Sequence, residues 1–182
     1  MPRHVDPQLE GRILLAARKL WHKGGEKALS MRAVAAAAGT NTPAVYRRFR
    51  DREALLRALV ESYQQEIFRL VEPCRSLKEV AECYLDFAVS NPREYQLLMS
   101  GLLARMSKGR PNLKFIMSRS SEWLGATPDD HRNLVLILWG LMHGTAMLKV
   151  SGTMLEEDFP RARAAFAAAI DVLLANAEKL RT

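Results

Sequence analysis

Apolar residues recur at three- and four-residue spacing along most of the chain, and no segment alternates with the period of two that a half-buried strand shows. Turn and capping signals divide this pattern into about nine helices. Asp6 caps a first helix reaching about Lys23, with Leu9, Ile13, Ala16, Ala17 and Leu20 on one face, Trp21 alongside and Gly24-Gly25 as the stop. Ser30 caps a short helix, Met31 to Ala38, which Gly39 ends. Asn41 or Thr42 caps another, with Pro43 in its first turn, to about Phe49. Asp51 opens a long helix to about Val71, striped by Leu55, Leu59, Tyr63, Ile67 and Leu70.

Pro73 breaks the pattern, and Ser76-Leu77-Lys78-Glu79 is a capping box for the next helix. Asn91-Pro92 separates it from a helix to about Met106, and Lys108-Gly109-Arg110-Pro111 reads as a loop. Helices follow over Asn112 to Trp123, from Thr127-Pro128-Asp129-Asp130 to about Val150, and from Pro160 to about Leu180, the last capped by Asp158. The expected fold is all-α. A three-helix helix-turn-helix domain spans residues 1–52, and a helical domain spans 53–182.

Charge separates the same two regions. The chain of 182 residues carries +7. Residues 1–60 hold twelve basic and five acidic side chains, so the whole excess lies there, and the remainder is balanced at fifteen of each. A basic head on a neutral body points to a polyanion met by the head alone. The opening residues contain no apolar run of the secretory type, and the longest uncharged stretch, Asn133 to Leu148, has 16 residues. That is shorter than the roughly 20 needed to span a bilayer, so a cytoplasmic protein with no membrane segment is expected. Cys74 and Cys83 have neither zinc-ligand nor CxxC spacing and read as incidental thiols. The four histidines are scattered, and neither a metal nor a cofactor is implied.

The segment Ser30 to Phe49 gives the basic head its chemistry. Two short helices meet at Gly39-Thr40-Asn41, and alanines at 35–38 and 44 let them approach closely. Met31, Val34 and Val45 point inward. The second helix then presents Thr40, Asn41, Thr42, Ala44, Tyr46, Arg47 and Arg48 along its exposed side and leading end. Short polar and small apolar groups at a helix N-terminus suit base edges in the major groove. Tyr46, Arg47 and Arg48 have the reach and chemistry for phosphates or guanine edges; Arg50 and Arg52 follow near the next helix start, Ser30 can point its hydroxyl at phosphate, and Arg32 joins them in the DNA-binding set. The plainer readings make Ser30 a cap and Tyr46 a core ring.

These residues resemble the tetracycline-repressor (TetR) family of bacterial regulators over about residues 9–60. The resemblance rests on Ile13-Leu14-Leu15-Ala16-Ala17, Gly24-Gly25, Leu29-Ser30-Met31-Arg32-Ala33-Val34-Ala35, Ala38-Gly39, Ala44-Val45-Tyr46-Arg47-Arg48-Phe49 and Asp51-Arg52-Glu53-Ala54-Leu55-Leu56. It implies that Tyr46 and Arg52 bind phosphate and that Thr40 to Ala44, including Pro43, face the groove. Trp21 stands where the family usually has Phe, and Arg52 where Lys is commoner.

In the body, 134–148 is apolar around the whole helix circumference, and the last helix carries a broad stripe of Phe166, Ile170, Leu173, Leu174 and alanines. A second copy would cover the surplus through the last two helices, with Leu141, Gly144, Leu148, Phe166, Ile170 and Leu173 at the interface. Trp139, His143 and Gly144 form W-x-x-x-H-G, which looks like the tryptophan–histidine–glycine C-terminal domain of part of the TetR family. His143 equally reads as a core or interface histidine. Six of eight methionines lie in 99–154. The resemblance implies an effector cavity there, with Phe87, Tyr95, Met99, Trp123, Trp139, His143 and Met147 as lining for an apolar or aromatic ligand.

The combined expectation is a homodimeric regulator that reads a pseudo-palindromic DNA operator, with the repressor role resting on the resemblance. A non-specific architectural DNA binder would use the same basic head. A small-molecule enzyme finds no phosphate loop, metal-spaced ligand set or nucleophile–base pairing in the sequence.

Overall fold

The computed structural model describes residues 8–101 and 111–181. The expected Asp6 cap, the helix end near Met106 and most of the 108–111 loop lie outside the described residues. Among those described, there are nine α-helices and no strand: α1 Leu9–Ala28, α2 Met31–Ala37, α3 Thr42–Arg48, α4 Arg52–Val71, α5 Leu77–Ser90, α6 Pro92–Met99, α7 Pro111–Leu124, α8 Arg132–Val150 and α9 Phe159–Ala175. Short 3₁₀ turns precede α8 and α9 and follow α9. The last helix therefore stops at Ala175, and Ala177–Leu180 is a separate 3₁₀ turn rather than its continuation.

The chain divides into two compact units. The first runs to Gln64 and takes in α6 from Arg93 onward; the second holds Gln65–Pro92 and the chain after residue 106. The expected boundary is 52/53; the first compact unit runs on to Gln64, inside α4.

In the first unit, α1, α2 and α3 pack around Ile13, Ala17, Val34, Val45, Leu55 and Leu59, each fully or almost fully buried. Alanines at 16, 35, 38 and 44 are buried too, which is how three short helices come close enough to share so small a core. Gly24-Gly25 does break the helix: Gly25 has φ 58° and ψ −141°, inside what is otherwise one run to Ala28. The N-terminus of α6 closes over this break. The Trp21 indole N–H donates to Arg93 O at 3.0 Å, an Arg93 guanidinium N–H donates to His22 O at 2.8 Å, and the His22 ring meets the buried Glu94 carboxylate at 2.8 Å.

In the second unit, α8 packs against α5 and α9. Leu85, Ala88, Leu134, Leu138, Ala146, Phe166 and Ile170 form its core. Ser76 caps α5 by accepting from Glu79 N at 3.1 Å, while the Glu79 carboxylate accepts from Arg75 N at 2.8 Å. Salt bridges Lys78–Asp171 and Arg163–Asp86 tie α5 to α9 along their exposed edges. Phe166 and Ile170, expected at an interface between copies, are 3% and 0% exposed within a single chain. They point into their own unit because the apolar side of α9 is already covered by α5 and α8.

By length and composition Asp129–Val150 is apolar enough to cross a membrane. It packs here on one side only, leaving Ile137, Trp139, Gly140, Gly144 and Leu148 exposed. If Ile170 is core, Ile170→Ala should cost about 2–5 kcal/mol through the cavity it leaves. Urea unfolding checks this, and a cost near zero would return Ile170 to the surface.

Candidate nucleic-acid interface

The helix-turn-helix is built by satisfying its own backbone. At the end of α2, Gly39 turns left-handed at φ +66°. This lets Thr40 N–H donate to Ala35 O at 2.9 Å and Gly39 N–H donate to Ala36 O at 3.2 Å, the paired bonds of a Schellman stop. Asn41 then caps α3, its side-chain oxygen accepting from Ala44 N at 2.9 Å. Of the two sequence candidates, Asn41 and not Thr42 is the cap. Ser30 caps α2 in the same manner, accepting from Ala33 N at 3.1 Å. Four residues thus separate the two helices, each backbone turn being closed locally.

This geometry selects which side chains face outward. Pro43, Tyr46 and Arg47 are exposed and Thr42 is half-buried, at spacings of one, three and four that form one face of α3. Tyr46 is 50% exposed, so it is a surface ring rather than a core aromatic. Asn41 lies exposed at the leading end, with Thr40 beside it. The Asn41 side-chain oxygen serves as the cap, which leaves its NH₂ end as a donor for a base edge. Ser30 and Arg32 are exposed at the start of α2. Its cap bond uses the Ser30 oxygen as acceptor, and the hydroxyl proton can still be donated to a phosphate.

Two residues do not fit the expected set. Ala44 is 4% exposed: it packs inward beside Val45 and cannot reach a groove. Arg52 is held by the protein itself. Its Nε–H donates to Leu29 O at 3.2 Å, and Nη2 reaches Glu26 O at 3.3 Å and the Glu26 carboxylate at 3.2 Å. Arg52 therefore fastens the start of α4 to the chain leaving α1, and its role in this structure is that of a strut. No local pattern signals this, since the partners lie 23 and 26 residues away. Arg50 pairs with Asp51 at 3.0 Å. Asp51 caps α4 by accepting from Ala54 N at 2.7 Å, and that bond, then Arg50, holds its carboxyl below the ordinary 3.8.

The expected effector residues divide between the two units. Tyr95 and Met99 belong to the first; Phe87, Trp123, Trp139, His143 and Met147 belong to the second. Tyr95 and Phe87 are buried. Trp123 lies beneath the Arg119 guanidinium, 4.7 Å from ring centroid to cation. Trp139 and His143 are neighbours on α8, with ring centroids 6.2 Å apart, but Trp139 is 45% exposed and so lies on the open side of that helix. No group of His, Cys, Asp or Glu among the described residues is arranged to hold a metal ion.

Comparison with known proteins matches both parts of the chain. Residues 13–59 match the model for bacterial regulatory proteins of the tetR family, and residues 77–173 match that for the tetracyclin repressor-like C-terminal domain. The second description does not single out the tryptophan–histidine–glycine subtype. No curated protein matches at a significant level. Among solved structures, a TetR variant from Acinetobacter baumannii AYE in complex with minocycline is similar at 23% identity and TM-score 0.69, covering 98% of this chain and 99% of that one. A protein of unknown function from Rhodococcus sp. RHA1 is similar at 25% identity and TM-score 0.71, covering 97% and 98%. NalD from Pseudomonas aeruginosa, the secondary repressor of the MexAB-OprM multidrug efflux pump, is similar at 19% identity and TM-score 0.55, covering 96% and 97%.

The Arg52 geometry makes a prediction that involves no DNA. Arg52→Ala should lower stability by about 1 kcal/mol, reduced from the value for buried charged bonds because the group is partly solvated. Arg52→Lys should recover part of the loss. Urea unfolding of the free protein measures both, and an unchanged midpoint for Arg52→Ala would remove the strut.

Proposed function

The chain belongs to the TetR family of bacterial regulatory proteins, and from that premise we propose that it is a cytoplasmic, homodimeric repressor released from its operator by a small-molecule effector. The observation that carries the DNA reading is the face of α3. Thr42, Pro43, Tyr46 and Arg47 share one side of a helix whose opposite side, Ala44 and Val45, is locked into the core. A rigid helix can enter a major groove with its small N-terminal side chains toward base edges. Thr40, Asn41, Thr42 and Pro43 are the base-proximal set. Ser30, Arg32, Tyr46, Arg47 and Arg48 are the phosphate set, and Arg52 supports them by fixing the backbone.

The dimer reading rests on the exposed side of α8. Ile137, Gly140, Gly144 and Leu148 recur at three- and four-residue spacing, and Leu141 flanks them. A Cβ added at Gly140 or Gly144 would meet nothing within 4 Å, so the missing side chains serve no contact inside the chain. They suit the close approach of a second helix. On α9, Val172 is 63% exposed and Leu173 half-buried, and both are assigned to the same proposed interface. Two heads related by a two-fold axis would then read half-sites about 34–36 Å apart, or a multiple of that.

The effector reading rests on the family and on the A. baumannii relative, which holds minocycline. An apolar or aromatic ligand would act by its difference in affinity between operator-bound and released states. Phe87, Trp123, His143 and Met147, all of the second unit, are the proposed lining. Trp139, on the open side of α8, fits the dimer surface better.

Selection from random duplexes tests the DNA reading. The expected product is a pseudo-palindrome. Equal binding to all duplexes at moderate salt would instead mean an architectural protein. Tyr46→Ala should weaken binding to every site by a similar factor, while Thr42→Ala should change which sites are selected; an unaltered selection would remove Thr42 from the base readers. The dimer is checked by sedimentation: Ile137→Glu together with Leu148→Glu should give a folded monomer, and an undiminished dimer would place the interface elsewhere.

A further inference from the structure

Cys74 and Cys83 stand nine residues apart in sequence, with spacing that signals neither a metal nor a redox motif. The fold brings their sulfurs to 3.7 Å, with the Cys74 thiol donating toward Cys83. We propose that they form a redox modification site, a dithiol that a hydroperoxide converts into an intramolecular disulfide.

The placement of the pair is enforced by backbone. Cys83 sits in the middle of α5, on a regular hydrogen-bonded helix. Cys74 lies just beyond α4, where its N–H donates to Val71 O at 3.1 Å and its carbonyl accepts from Arg119 Nη2 at 3.0 Å. Both Cα atoms are therefore held before any bond forms. Closing the disulfide requires the sulfurs to move from 3.7 Å to about 2.05 Å. Cys74 has one weak partner to give up, Leu70 O at 3.7 Å from its sulfur. A rotation of the thiols toward each other is the movement that the proposal requires.

The two thiols differ in the way such a site needs. Cys83 is partly exposed and open to a small oxidant, whereas Cys74 is buried at 4% exposure. Burial, then the Cys83 hydrogen bond, pushes the Cys74 thiol up to about 11, so it stays protonated and is the poorer first nucleophile. The order of events follows. The Cys83 sulfur attacks the peroxide, the O–O bond breaks, and Cys83 becomes a sulfenic acid while the hydroxide released takes up the proton from Cys83. The Cys74 sulfur then attacks the Cys83 sulfur, the S–O bond breaks, and water leaves with the Cys74 proton. With hydrogen peroxide, one peroxide is reduced to two waters, and two thiols are oxidised to one disulfide. In a reducing compartment the bond would be transient, as cytosolic disulfides usually are.

The experiment uses the reduced full chain, hydrogen peroxide in graded doses, and no DNA or effector, so its outcome is independent of the regulator reading. Alkylation followed by intact mass and a non-reducing peptide map counts the thiols and locates the link. Both thiols should disappear together, with a Cys74–Cys83 peptide inside a single chain, and dithiothreitol should restore both. Cys74→Ser should strand Cys83 as a sulfenic acid, raising its dimedone adduct about tenfold over wild type. Either of two results in the unsubstituted chain would overturn the proposal: Cys83 advancing to sulfinic or sulfonic acid with Cys74 still alkylatable, or a disulfide that joins two chains. Both are read on the wild-type protein, so neither depends on a variant that folds.

Discussion

The left-handed turn at Gly39 is the constraint on which the recognition surface depends. Because Gly39 can adopt φ +66°, the carbonyls of Ala35 and Ala36 find donors in Thr40 and Gly39, and α2 stops cleanly. Asn41 then satisfies an amide at the start of α3. With both ends closed over four residues, the angle between α2 and α3 is fixed by bonds rather than by side-chain packing alone. That angle decides that Ala44 and Val45 go inward and that Thr42, Pro43, Tyr46 and Arg47 go outward. A β-carbon at position 39 would strain the turn at its root.

What was legible from sequence was mostly local. Ser30, Asn41 and Ser76 cap through partners three residues away, and the tandem glycines at 24 and 25 break a helix through their own backbone freedom. Such signals are complete within a few residues and can be read before any tertiary structure exists. What was illegible depended on distant partners. Arg52 looked like a phosphate ligand because its charge is local information, whereas its carbonyl partners on Leu29 and Glu26 are not. An apolar stripe says that a face is covered without saying by what, so Phe166 and Ile170, expected at the interface, are core instead. The cysteines failed for the same reason: their nine-residue spacing matches no motif, and only the meeting of α5 with the chain end of α4 puts the sulfurs together. The family resemblance supplied what local chemistry could not, the use of the head.

Charge and packing serve different units. Arg32 and Arg47 sit exposed on a core made largely of alanine, valine and leucine, so the basic surface rests on small, rigid support. In the second unit, charged side chains instead pair across helices, as in Lys78–Asp171 and Arg163–Asp86, and the local charge balances. A balanced surface sets up no long-range field around the apolar side of α8.

The clamp formed by Trp21, His22, Arg93 and Glu94 means that the compact head is not a continuous piece of chain. A recombination event that exchanged only the first sixty residues with a relative would import a recognition helix but leave the receiving α6 to fit a foreign α1. The indole would lose its carbonyl partner or the buried Glu94 would lose its histidine, unless both halves of the clamp were alike in the two parents. New DNA specificities in this chain are therefore more readily reached by substitution on the outer face of α3 than by wholesale exchange of heads, and residues 21, 22, 93 and 94 should be inherited together.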